Sequence, residues 1–437
     1  MSLQYIVDFE SLHIGKHSAV LVVHWATPSL VLTGHLDGWL RAWRATDGAL
    51  VAEVRAHNQS LYSLTASDDG AQALTSSIDG SVSLYSTAKV SSKANSVRHP
   101  QADTAKEEEV ERAPSKIPLV GQAFKWEATV SRASLRQGDP TLTSHAFVTA
   151  LHPTAPVFAS TGQGATVSLH DARPGPDFGR LLTQQPPAAA AAAAVREGNS
   201  QFAQSIAFSP TGKLLAAGTS RGQVYLYNVS ADRAQLTLCA TYSAHALPVR
   251  ALAFDNFQGK DNVLFVGADD GIITLHDVRS VAVAVDTSRG IAGAELNDTN
   301  PVAVLKGHRA GITALAPVPI AVAATAASQG SAASQTAATA SSLTPAPAAS
   351  SHHLLSSTSA DATVRIWDLR TTPKSCVFTS NGQGASMTSI SWNGPVALTS
   401  SQPTAGRARA HQHGFVTGAS DGVVRWYRVA GSGGADL

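Results

Sequence analysis

Cysteine is nearly absent: Cys239 and Cys376 are the only two in 437 residues. They form neither a disulfide framework nor a metal-ligand spacing, so a reducing, intracellular setting is expected. Charge is also sparse. Asp, Glu, Lys and Arg make up 14% of the chain and leave a formal net charge of +1, which gives no basic footprint for nucleic acid and no acidic tail. No apolar run approaches the ~18 residues a membrane span needs. Asp8 and Glu10 interrupt the N-terminal apolar residues, so neither a membrane anchor nor a secretory signal is expected. Catalytic signatures are missing too. Gly212-Lys213 lacks the upstream glycine and following Ser or Thr of a phosphate loop, and neither His-Glu-x-x-His nor Gly-x-Ser-x-Gly occurs.

What the chain does contain is repetition, clearest in SADATVRIWDL, residues 359–369. Asp361-Ala362 reads as a tight turn, and Thr363 to Trp367 has the β-branched and aromatic side chains of a strand. Upstream lie Gly307-His308 and Ser356-Ser357. If His308, Ser357, Asp361 and Trp367 converge, an imidazole, a hydroxyl, a carboxylate and a buried indole N–H satisfy one another, each bond contributing roughly 0.5–1.5 kcal/mol. This spacing resembles the Gly-His to Trp-Asp signature of the WD-repeat family, whose unit is one four-stranded propeller blade. Copies of the turn and strand end at Trp43, Tyr85, His170, Tyr227, His276, Trp367 and Tyr427. Seven copies predict an all-β, seven-bladed WD-repeat β-propeller in a single domain. The intervals Tyr85 to His170 and His276 to Trp367 are about twice one ~40–45-residue unit, and the excess is assigned to loop insertions.

In chain order, Gln4 to Phe9 is too early for blade 1 and is expected to close blade 7 as its outer strand. Blade 1 should carry a network of His17, Thr33, Asp37 and Trp43. Polar or low-complexity composition predicts disordered insertions at about 87–121, 185–200, 280–300, 318–353 and 400–413. FKWEATV, residues 124–130, is expected as the outer strand of blade 2. The histidines at 17, 57, 145, 245 and 308 fall at the structural position of the repeat, and those at 170 and 276 replace its terminal aromatic. The remaining loop pairs, His352-His353 and His411-x-His413, are poor metal sites, so neither metal nor cofactor is expected. Asp68-Asp69-Gly70 and Asp269-Asp270-Gly271 read as turns.

The expectation is therefore a non-catalytic binding platform. The Gly-His loops and the turns before the third strands share one face of a propeller, so Leu36, Trp39, Ile78, Phe147, Phe202 and Asp269 are the candidate partner contacts. Apolar groups beside one acid suit a short peptide with an apolar anchor and a basic residue.

FAQSIAFSPTGKLLAAGTSRGQVYLYNV in blade 4, SAHALPVRALAF with ADDGIITLHDV in blade 5, and the ending DGVVRWYRVAG in blade 7 resemble one family further. They are similar to the small WD-repeat subunit of the superkiller (SKI) complex of cytoplasmic mRNA decay. The resemblance implies docking on a tetratricopeptide scaffold beside an RNA helicase, in support of exosome-dependent 3′-to-5′ decay. It also implies a cytoplasmic protein with further nuclear roles, including meiotic recombination, and recognition of short Gln-Arg-x-x-apolar motifs without direct nucleic-acid contact. Asp269 would take the arginine, and Phe147 or Phe202 the apolar end. One residue departs from the pattern: Gly311 stands where the resemblance implies tryptophan. An adaptor of another assembly, in chromatin modification or ribosome biogenesis, would share every blade feature.

Overall fold

The computed structural model describes residues 4–11, 18–67, 69–96, 124–125, 129–135, 146–185, 201–243, 245–255, 263–279, 281, 296–297, 300–318, 354–371, 374–381, 384–393 and 414–429. Its strands form seven mainly antiparallel sheets, each a blade. The innermost strand of each blade packs against those of its two neighbours, and the ring closes where Met387–Trp392 of blade 7 meets Val20–Thr27 of blade 1. The chain is a seven-bladed β-propeller.

Blade 4 shows how sequence makes the unit. Ala203–Phe208, Leu214–Thr219, Val224–Val229 and Leu236–Tyr242 pair in order. Gly212 and Gly222 turn the chain between them at φ +74° and +79°, where a side chain is strained. Apolar residues from adjoining blades fill the spaces between sheets. Between blades 7 and 1, Val20, Val23, Trp25, Val31 and Trp43 pack with Val416, Val424 and Trp426.

The ring is closed by its own N-terminus. Tyr5–Glu10 pairs antiparallel with Val424–Val429 as the outer strand of blade 7, one residue later than Gln4 to Phe9. Tyr5 sets its ring edge-on against Phe378, Trp392 and Phe415, with centroids 5.2–5.9 Å away. Glu10 and Asp8 accept from Arg425 and Arg428 at 2.9 and 2.8 Å.

Two expectations change. The outer strand of blade 2 is Thr129–Ser134, later than FKWEATV, and Phe124–Lys125 instead adds to blade 1 as a fifth, parallel strand. Leu296–Asn297 adds to blade 4 in the same way. An exposed sheet edge offers free backbone groups to any strand that reaches it, so local pattern does not choose the blade. The start of the 87–121 insertion is also ordered, as the helix Ala88–Ser96. Val90 and Ala94, one turn apart, are buried against blades 1 and 2, and this packing outweighs the polar composition. The rest of that insertion and most of the other expected insertions lie outside the described residues.

Candidate docking face at the channel mouth

The polar networks fix the loops that build the face. In blade 6 the Trp367 indole N–H donates to Ser357 Oγ at 2.9 Å, and Ser357 Oγ lies 2.8 Å from His308 Nε2. His308 Nδ1 is 3.0 Å from Asp361 Oδ2. Burial pushes the His308 imidazole down, so it is neutral, with Nδ1–H donating to the carboxylate and Nε2 accepting from serine. Burial alone would raise Asp361, but hydrogen bonds from Thr363, the Arg309 amide and His308 prevail and hold it at about 2. Blade 5 repeats the design with His245, Asp270 and Thr274; His276 Nε2, 3.0 Å from Thr274 Oγ1, stands where blade 6 has its indole.

Blade 1 holds the Thr33 and Trp43 part of the expected set and adds a histidine that the set did not include. Trp43 Nε1 donates to Thr33 Oγ1 at 2.8 Å, and the imidazole beside that hydroxyl, also at 2.8 Å, is His35. His17 lies outside the described residues, as does His145. Asp37 instead caps its own turn, accepting from the Trp39 amide at 3.1 Å, and pairs with Arg41 at 3.3 Å. In blade 4, which lacks a Gly-His, buried Gln201 bonds Gln223.

A second regularity places side chains in the channel. In all seven blades the innermost strand carries a register shift centred on its second residue. A β-bulge re-aims the side chain of the extra residue. The seven are Leu21, Tyr62 and Phe147 in blades 1–3, Gln204 and Arg250 in blades 4 and 5, and Thr313 and Thr388 in blades 6 and 7. Six of them line a channel of about 330 Å³. The ring is apolar and aromatic over blades 1–3 and polar over the rest. Of this set only Phe147 is among the contacts expected from sequence. The available signal was the position itself, the residue just after the first apolar residue of each inner strand.

The turns before the third strands lie on the same face, because backbone bonds tie them to the loops before the first strands. Leu36, Ser220, Asp269, Ala360 and Ser420 donate to Ala19, Phe202, Pro248, Gly311 and Ser386 at 2.8–3.0 Å. Leu36 and Ile78, at 53% and 46% exposure, flank Ser60, which hydrogen-bonds the backbone of both. They form an apolar rim beside the aromatic arc. Phe202 is exposed on blade 4. Trp39 is half-buried, with the Arg41 guanidinium 5.6 Å over its ring. Phe147 meets Tyr62 edge-on at 5.3 Å. Asp269 is engaged within the chain: Arg250 Nε donates to its Oδ1 at 2.5 Å, and the Arg250 guanidinium also bonds the Tyr62 hydroxyl, from a blade three positions away. Gly311 is the wall behind Asp269, where a Cβ would lie 2.6 Å from Oδ1.

Among the described residues no three His, Cys, Asp or Glu side chains group to hold a metal. The face offers apolar contact, a few polar groups and a channel, which is the equipment of recognition.

Comparison with known proteins agrees with this architecture. A family described as "Nucleolar protein 10-like, N-terminal domain" matches residues 126–317, and the WD domain, G-beta repeat matches residues 48–86 and 340–368. The WD repeat-containing protein VIP3 of Arabidopsis thaliana is 25% identical over 55% of this chain and 59% of its own length. The LEC14B protein of Lithospermum erythrorhizon is 30% identical over 25% of this chain and 19% of its own. The chain thus matches less than two thirds of either relative. WD-repeat propellers generally act as non-catalytic interaction scaffolds. With seven blades, the recurring His, hydroxyl, Asp and Trp networks and these matches, the chain belongs to the WD-repeat protein family.

Proposed function

We propose that this propeller is an adaptor that docks short peptide segments of its partners on the channel mouth, as the WD-repeat subunit of a SKI-like complex. The observation that carries the reading is the two-sided mouth: Leu36, Ile78, Tyr62 and Phe147 offer an apolar arc, and Asp269 lies on the polar side. A Gln-Arg-x-x-apolar segment matches both, its last residue on the arc and its arginine toward Asp269. Trp39 and Phe202 extend the surface. The implied partners are a tetratricopeptide scaffold and an RNA helicase feeding mRNA to the exosome, in the cytoplasm, with a nuclear role in meiotic recombination as a further part of the proposal. Direct nucleic-acid binding is not part of it.

Calorimetry with a Gln-Arg-x-x-Leu peptide and its arginine-to-alanine control tests this. Micromolar or tighter binding that is lost in the control supports the reading, and no binding by the folded protein refutes it. A second reading, an adaptor of a nucleolar assembly, is favoured by the match of residues 126–317 to a nucleolar protein 10-like domain. Fluorescent tagging of the full chain separates the two, since nucleolar accumulation favours the second.

A further inference from the structure

We infer that Arg250 is an internal occupant of the acidic anchor at the channel mouth, which the arginine of a docking peptide displaces on binding. The inference rests on the peptide-docking reading and adds to it a residue that sets specificity. Arg250 is the bulge residue of blade 5, and its guanidinium spans the mouth from Asp269 to the Tyr62 hydroxyl on blade 2. A peptide guanidinium aimed at Asp269 therefore meets an identical group already there.

Three observations make exchange feasible. The Arg250 side chain is 43% exposed, so it can swing outward without opening the core. Gly311 leaves no side chain over the carboxylate from blade 6. Gln204 Oε1, buried on the neighbouring blade of the same ring, has no hydrogen-bond partner among the described residues. A guanidinium carries five N–H donors. An incoming arginine forms with Asp269 the same charge-assisted pair that Arg250 gives up, so the exchange is close to balanced and the rest of the peptide's contacts decide it. The opposite arrangement, in which Arg250 itself captures a ligand carboxylate, predicts effects of opposite sign.

The test is calorimetry on the full chain, wild type and Arg250→Met, with the Gln-Arg-x-x-Leu peptide and its alanine control at low and high salt. Methionine keeps an apolar stem and removes the charge. Arg250→Met should bind the arginine peptide about two- to fivefold more tightly, the range an exposed ion pair is worth. Binding of the alanine control should not change. Affinity should also become more salt-sensitive, because the pair formed with Asp269 is no longer exchanged for one that was broken. Asp269→Asn should remove discrimination between the peptides in both backgrounds. Equal or weaker binding by Arg250→Met, with wild-type binding intact, overturns the inference and leaves the docking reading standing. If neither protein binds the peptide while both melt normally, the docking reading fails and this inference with it.

Discussion

Ser357→Ala is the sharpest probe of what holds a blade together. Ser357 Oγ is fully buried and hydrogen-bonds both the Trp367 indole and the His308 imidazole, at 2.9 and 2.8 Å. Alanine removes both bonds, each contributing about 0.5–1.5 kcal/mol, and leaves an indole N–H without a partner in a site closed to water, which costs about 1–3 kcal/mol more. The expected loss is about 3 kcal/mol, large against a typical total of roughly 5–15. Equilibrium urea unfolding followed by tryptophan fluorescence reads it directly. Trp367→Phe supplies the internal check, since it keeps most of the ring but removes the donor. In that background Ser357→Ala should cost at least about 1 kcal/mol less, because no orphan N–H remains. A loss below about 1 kcal/mol for Ser357→Ala, or strict additivity in the double variant, would refute the network as a source of stability.

Acid should destabilise the propeller well before its carboxylates titrate. Burial lowers His57 and His170 to about 4, so the unfolded chain takes up protons first as pH falls below ~6.5, and stability present above that value is lost down to about 4. Each costs about 2 kcal/mol at pH 5, and a difference under about 1 kcal/mol in total between unfolding at pH 7.5 and pH 5 would contradict it. Gly222→Ala places a Cβ 2.1 Å from the His245 carbonyl oxygen at φ +79° and should cost more than about 2 kcal/mol, read from the urea midpoint. Deleting residues 1–10 removes the strand that closes blade 7 and uncovers Phe378, Trp392 and Phe415. The truncated chain should bind a hydrophobic dye and lose cooperative unfolding. Leu36→Asp and Ile78→Asp should each weaken peptide binding at least about tenfold by calorimetry while leaving the urea midpoint within about 0.5 kcal/mol, since both side chains stand in water.

Much of this molecule is written in short stretches of chain. A turn residue at positive φ, glycine in most blades and Ala362 in blade 6, a run of β-branched residues and an aromatic end recur because each blade needs the same turn, strand and buried anchor. Those requirements act over about ten residues, so Trp43, Trp367 and Tyr427 announce their blades locally. The His308, Ser357, Asp361 and Trp367 set spans sixty residues but was legible because the repeat fixes its spacing. Where the repeat is degraded, local reading is incomplete. His35 sits beside Thr33 two residues along the same strand, and spacing does not reveal it. The helix at Ala88–Ser96 exists because Val90 and Ala94 find a surface on blades 1 and 2, which no window of the chain contains.

The channel mouth depends on closure. Tyr62 and Arg250 are neighbours only because seven sheets complete a circle, and Asp269 meets Gly311 only because blade 6 follows blade 5 around it. Alternation along a strand predicts two faces, but the bulge at each second residue adds a third direction, into the channel. The amino-acid order alone thus determined the unit, its number and most of its anchors, because the repeat fixes their spacing along the chain. The tertiary structure decided which edges receive extra strands, which residues ring the channel and which charge already occupies Asp269. These follow from contacts that form only once the ring has closed.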